Sequence, residues 1–156
     1  MSDLSPVLLS VSHRSQRYRS DCLAACAEMV LAHLEVPIAY PRLIKTLRID
    51  INVGAPFSNI LRLETRRLLV IVEHGTVEML YRLLSAGWPV IVAVDTAQLP
   101  YWDESTYHAV VVVGMDEQMI YINDPAFATA PLQITHEEFA LAWLEHDDLY
   151  ALLVPN

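Results

Sequence analysis

The chain has 156 residues, 54% of them hydrophobic, and a formal net charge of −9 with ten basic side chains. This length is enough to bury a substantial core as one domain over residues 1–156, and the apolar content excludes disorder for most of it. The acid excess argues against a nucleic-acid partner, which needs clustered Lys and Arg to neutralise phosphates; Arg62, Arg66 and Arg67 read instead as a solvated helix face.

In chain order, Met1, Ser2 and Asp3 bring no basic stretch, and Val7-Leu8-Leu9 is too short for a signal-peptide core. The apolar residues of 7–11 suggest a short strand leading to a loop at Gln16. A helix follows over 21–34: its residues are small or apolar, Ser20 and Asp21 are of the type that caps a helix start, and Pro37 lies beyond its end. Pro41 opens a second helix over 42–47. After a loop over 50–57, Ser58 caps a third helix to about 63, and 68–72 reads as a strand. Thr76 caps a helix over 77–86, which Gly87 closes. Strands are then predicted over 90–95, 107–114 and 118–123, with a loop over 96–106. A strand over 132–135, a helix over 136–144 and a strand over 149–154 complete the chain. The apolar runs near 68–72, 88–94 and 109–115 all fall short of the ~20 residues that span a bilayer, so a cytoplasmic protein without a transmembrane segment is expected. Helices precede strands without βαβ alternation, which makes the fold class α+β.

The chemistry is concentrated in four residues. Cys22 opens the first long helix, where the positive end of the dipole favours a thiolate, the nucleophilic form. Gln16 offers an amide donor that a short loop can fold beside the sulfur; with the Cys22 backbone N–H it would form an oxyanion hole. His108 begins the run Ala109-Val110-Val111-Val112-Val113-Gly114, and Asp124 ends the run Ile120-Tyr121-Ile122-Asn123. With a three-residue turn at Met115-Asp116-Glu117, Gly114 faces Gln118, and His108 lies directly opposite Asp124 on one sheet face. A two-residue turn breaks that parity. A carboxylate beside an imidazole fixes its tautomer, and the imidazole can then take the proton of a nucleophile.

Gln-x5-Cys with Asp before the Cys, then His-Ala-Val-Val-Val-Val-Gly, then Asn-Asp-Pro-Ala, resembles the C39 peptidases. These are papain-like cysteine peptidases best known as leader-cleaving domains of bacteriocin-exporting ABC transporters. The resemblance runs from about Gln16 to Trp143, through Gly87-Trp88-Pro89-Val90-Ile91 and Phe139-Ala140-Leu141-Ala142-Trp143. It implies a papain-like fold in which an N-terminal helical half, carrying the nucleophile helix, packs on a C-terminal antiparallel sheet. It also implies Cys22 as nucleophile, His108 as general base and acid, Asp124 as orienting carboxylate and Gln16 as oxyanion donor. The chain departs from the pattern at Leu23, where the family commonly carries Gly. The transporter's membrane helices and ATP-binding domain are missing from the sequence. It is therefore read as a stand-alone member or an isolated domain, associated if at all with a separate transporter or other partner.

The resulting expectation is a peptidase acting on a peptide or protein, with no cofactor. The alternatives are an acyltransferase using the same residues and a non-catalytic peptide-binding module. Cys26, one turn after Cys22, is assigned to the core, and both cysteines are read as free thiols. His13 and His33 lack metal-ligand spacing, and neither they nor His136 and His146 make a zinc-type cluster. The loop over 96–106, with Tyr101-Trp102-Asp103-Glu104, is either one wall of a substrate cleft or an ordinary aromatic-anchored loop. Its acidic pair favours a basic or neutral peptide.

Overall fold

In the computed structural model, residues 4–156 are described; Met1, Ser2 and Asp3, part of the segment read above for an export signal, lie outside them. The elements are β1 (Val7–Leu8), α1 (Cys22–His33), α2 (Tyr40–Thr46), a 3-10 helix over Phe57–Leu63, β2 (Leu68–His74), α3 (Val77–Ser85), β3 (Val90–Asp95), β4 (Tyr107–Met115), β5 (Met119–Asn123), β6 (Leu132–Thr135), α4 (His136–Leu144) and β7 (Leu149–Pro155). The strands form one antiparallel sheet in the order β2-β7-β3-β4-β5-β6, with β1 paired to the far end of β4. The sheet is not confined to the C-terminal half, because β1 and β2 join it. Among the described residues no helix is long and apolar enough to cross a membrane.

Two layers of helix explain why β3 and β4 read as unbroken apolar runs: a strand covered on both faces has no polar side to alternate with. Ile91, Ala93, Ala109 and Val111 pack with the α1 residues Leu23, Cys26, Met29 and Val30. Val90, Val92, Val110 and Val112 point the other way, to Leu80 and Leu84 of α3 and Phe139 and Trp143 of α4. α1 is buried almost all round, which is why its sequence shows little amphipathic stripe.

Helix ends follow their chemistry at α3 and α4 but not everywhere: the expected Ser58 cap does not form, because the 3-10 helix already starts at Phe57, after Pro56, with no side-chain cap. Thr76 accepts a bond from the Met79 amide, and Gly87, at φ +94°, closes α3 while the Trp88 amide bonds the Leu83 carbonyl. Thr135 and Glu138 form a reciprocal capping box on α4, a Thr-x-x-Glu signature present in the sequence. At α1 the expected side-chain cap does not form. Asp21 stands at the N-cap, but its carboxylate is buried and turned to Tyr40 Oη, 2.7 Å away, with Ser20 Oγ at 3.3 Å.

Candidate active site

Four segments converge where α1 begins. Cys22 is the first residue of α1 and 9% exposed; His108 is second in β4 and 3% exposed; Asp124 follows β5 and is fully buried. His108 Nε2 lies 2.7 Å from Asp124 Oδ1, and Cys22 is near enough to the ring to help raise the His108 pKa. With Nε2 engaged by the carboxylate, the nitrogen left to the sulfur is Nδ1. Cys22, His108 and Asp124 are thus brought together.

The register that achieves this is not the expected one. Met115 pairs with Ile120, and the Asp116 amide bonds the Met119 carbonyl, so the turn is the two residues Glu117 and Gln118. That turn alone would put His108 and Asp124 on opposite faces. The ladder then shifts: Gly114 pairs with Tyr121, but Val112 pairs with Ile122 and Val111 with Asn123. Val113 is the extra residue of a β-bulge, and the bulge restores the parity. Continued past Asn123, this register sets Val110 opposite Asp124 and makes His108 its diagonal neighbour on one face. β1 occupies the bulged end: the Leu9 amide donates to the Val113 carbonyl (2.8 Å), and a Cβ on Gly114 would stand 2.6 Å from the Val7 carbonyl oxygen.

Asp124 is saturated with donors. Oδ1 accepts from His108 and from the Ala126 amide (2.9 Å); Oδ2 accepts from Tyr101 Oη (2.8 Å) and Trp102 Nε1 (2.9 Å). Burial pushes its carboxyl up, but the bond to His108, the imidazolium charge and the Trp102 and Ala126 donors outweigh this and hold it below the usual range. Burial likewise works to lower His108; the bond to Asp124, with the influence of Cys22 and the charges of both, raises it instead to about 9. Trp102 also packs edge-on against the His108 ring, with centroids 4.9 Å apart, and against Phe127 at 5.2 Å. The loop over 96–106 is therefore part of the site's framework as well as its wall. In the sequence Tyr101 and Trp102 read only as cleft or anchor residues, because no spacing rule links an aromatic loop to a carboxylate 22 residues on.

Each residue of Asn123-Asp124-Pro125 also holds the segment before α1. Asn123 Nδ2 donates to the Val11 carbonyl (3.0 Å), His13 Nε2 bonds the Asp124 carbonyl (2.8 Å), and the Gln16 backbone N–H donates to the Pro125 carbonyl (2.9 Å). These rungs set Gln16 in the wall of a 420 Å³ cavity shared with His108, Trp102 and Phe127. Cys22 lines an adjoining cavity of 160 Å³ with Leu23, Gly54, Ala55 and Tyr107. Arg19 borders both cavities, and its guanidinium meets Glu104 at 2.6 Å, tying the two walls together. The Gln16 side-chain Nε2 donates a long bond to the Arg19 carbonyl (3.4 Å), and its Oε1 is buried without a partner. Gln16 stands beside the pair, with its amide turned to its own loop.

Leu23 is 1% exposed, faces the core, and also borders the Cys22 cavity. Cys26 is fully buried, and burial, followed by the charges of Cys22 and Asp124, pushes its thiol well up, which keeps it protonated. Both cysteines are free thiols. His33 bonds the Ser10 and Gly87 carbonyls, His136 bonds the Asp116 carbonyl, and His146 packs edge-on against Tyr107. Among the described residues no group of three or more His, Cys, Asp or Glu is placed to hold a metal ion.

Solved structures share this architecture, among them the following three. A C39-like peptidase from Bacillus anthracis superposes with a TM-score of 0.77 at 18% identity, covering 98% of this chain and 99% of its own. A double glycine motif protease from an AMS/PCAT transporter, solved with its leader peptide, gives 0.74 at 22% identity, covering 99% and 100%. The peptidase domain of Streptococcus ComA, a bi-functional ABC transporter of a quorum-sensing pathway, gives 0.74 at 17% identity, covering 94% and 99%. At these identities the likeness establishes the fold, that of the C39 peptidases. No curated protein sequence matches. The model of the Peptidase_C39 like family matches residues 8–150. The chain belongs to the Peptidase_C39 like family.

Proposed function

We propose that this protein is a cysteine peptidase of one C39-like domain, hydrolysing a peptide bond in a peptide or protein substrate. The observation that carries the reading is the buried 2.7 Å bond from His108 Nε2 to Asp124, at a ring whose pKa Cys22 helps to raise. In this mechanism Nδ1 of His108 takes the thiol proton, and Asp124 stabilises the imidazolium. The Cys22 sulfur attacks the substrate carbonyl carbon. Negative charge moves to the carbonyl oxygen, where the Cys22 backbone N–H and the Gln16 amide receive it. For that, Gln16 gives up its long bond to the Arg19 carbonyl, which costs little. The C–N bond breaks, His108 passes its proton to the leaving amine, and a thioester remains on Cys22. Water, deprotonated by His108, attacks the thioester; the acid leaves and the thiol regains its proton. The role requires a reduced thiol, which suits the cytoplasm. The double glycine motif protease supports a leader peptide as the narrower substrate class.

The test is alkylation followed by substrate search. Iodoacetamide is expected to modify Cys22 rapidly at pH 6, read by intact mass, and the rate is expected to fall at least about tenfold in His108→Ala. Equal, slow rates in both proteins would overturn the mechanism and leave a peptide-binding module. Product analysis with an added amine then separates hydrolysis from acyl transfer.

A further inference from the structure

We infer that the 420 Å³ cavity on the leaving side of the nucleophile selects a cationic substrate side chain, arginine foremost, and that Glu104 reads its charge. The inference rests on the peptidase reading for its direction and on the cavity itself for its chemistry. His108 must protonate the leaving amine, so the leaving half of a substrate lies over the cavity that His108 lines with Gln16 and Trp102. Trp102 and Phe127 give that cavity an aromatic corner, their rings edge to face at 5.2 Å. Glu104 lines the same cavity, two residues after Trp102. A space that holds both aromatic rings and a carboxylate suits a planar guanidinium, which can stack and pair at once.

A guanidinium already sits on that carboxylate. Arg19 Nη2 lies 2.6 Å from Glu104 Oε1, reaching it from the opposite wall and from 85 residues away in the chain. The chain's own arginine thus stands where a substrate's would. The two partners are not equally held. The Arg19 side chain is 83% exposed, against 54% for Glu104. The Glu104 backbone is pinned as well: its carbonyl accepts the hydroxyl of fully buried Thr96 at 2.6 Å, and the same hydroxyl receives the Thr106 amide at 2.8 Å. Arg19 therefore gives way to solvent at little cost, as exposed ion pairs do, and Glu104 stays in place. The field decides which partner a substrate replaces. The chain carries a net charge of −9, and Asp103 adjoins Glu104. Arg17, the other cation lining the cavity, is committed to Glu28 at 2.9 Å. An anionic side chain seeking Arg19 meets this acid excess, whereas a cationic one is drawn in.

The experiment uses the full chain as Cys22→Ala, titrated calorimetrically with acetyl-Ala-Gly-X-Ala amides, where X is arginine, citrulline or glutamate. Citrulline keeps the shape of arginine without its charge. Salt is held at about 0.15 M, which screens distant charges beyond ~8 Å. The arginine peptide is expected to bind about threefold tighter than the citrulline peptide, with the glutamate peptide weakest. Adding Arg19→Ala removes the internal competitor and is expected to widen the arginine preference to about tenfold. Adding Glu104→Gln instead is expected to abolish the preference, while citrulline binding persists and reports an intact cavity. Glu137→Gln makes the same change in net charge in the first turn of α4, where the neighbouring His136 bonds the Asp116 carbonyl beyond the far end of β4. It is expected to leave the preference as it was. No arginine preference over citrulline, no binding by any of the three peptides, or a preference that survives Glu104→Gln overturns the inference. So does a preference that Arg19→Ala erases, or one that Glu137→Gln reduces as much as Glu104→Gln does. Iodoacetamide alkylation of the unaltered chain separates the two readings. Fast alkylation with no charge preference removes the selection and leaves the peptidase, whereas slow alkylation with arginine-selective binding removes the peptidase and leaves a peptide site.

Discussion

Two buried aspartates flank the start of α1, and they differ in what they hold. Asp21, directly before Cys22, receives Tyr40 Oη at 2.7 Å and Ser20 Oγ at 3.3 Å. Arg17 lies over the Tyr40 ring at 3.7 Å and bonds Glu28 at 2.9 Å. Asp124 receives an imidazole, a phenol, an indole and a backbone amide. Burial is nearly equal, 2% against 0% exposed, so burial does not distinguish them. The donors do. Tyr40 is pushed far up by burial and by the Asp21 bond, so its proton stays in place and the pair is a brace for the loop that leads to Cys22. His108 is raised to about 9 and can still exchange its proton, so in the proposed mechanism its carboxylate controls a proton that moves.

The comparison breaks most clearly on activity. Asp124→Asn is expected to lower kcat by about 10³- to 10⁴-fold, because an amide can hold the wrong imidazole tautomer. Asp21→Asn keeps an oxygen for Tyr40 and is expected to stay within about tenfold of the unaltered chain. Parallel turnover assays on a peptide substrate check both; equal losses would erase the distinction.

The next effect is on stability against pH. His108 rises from an ordinary 6.5 to about 9 on folding, so its contribution is complete below pH 6.5 and is lost as pH climbs through 9. The Asp124 carboxyl is lowered from 3.8, so its contribution is present above that value and lost as pH falls below it. The pair therefore stabilises fully from about pH 4 to 6.5, and about 3 kcal/mol is expected to disappear between pH 6.5 and 9. Urea unfolding across that range measures it. Asp124→Asn is expected to flatten most of the alkaline slope, and Asp21→Asn to leave it alone.

The smallest effect separates the two phenols. Tyr101→Phe strips a donor from a fully buried carboxylate and is expected to cost about 1–3 kcal/mol. Tyr40→Phe leaves Asp21 its Ser20 contact and the ring under Arg17, and about 1 kcal/mol is expected. Thermal unfolding of both variants ranks them.

Much of this was legible in the chain. Residues 90–95 and 107–115 carry β-branched side chains without a polar face, which only a strand covered on both sides accommodates. Thr76 and Gly87 mark their helix ends because capping chemistry is local. Cys22 at a helix start, His108 at a strand start and Asp124 at a strand end are likewise positions set by short-range signals. Asp21 shows the limit: as a residue type it suits a cap, but the Tyr40 hydroxyl, 19 residues away, offers a competing bond. The hairpin shows it again. Residue types pointed to His108 and Asp124, which do meet at 2.7 Å, but through a three-residue turn that does not exist. The actual two-residue turn works only because Val113 bulges, and β1, arriving from the other end of the chain, packs on the bulge and the bare backbone of Gly114. Local signals decided the elements, the chemistry-bearing residues and the order in which they come. The tertiary structure alone decided the register, the Tyr101 and Trp102 donors on Asp124, and the pairing of Arg19 with Glu104. Each of these depends on contacts between residues far apart in sequence, and such contacts leave no periodicity or spacing to read.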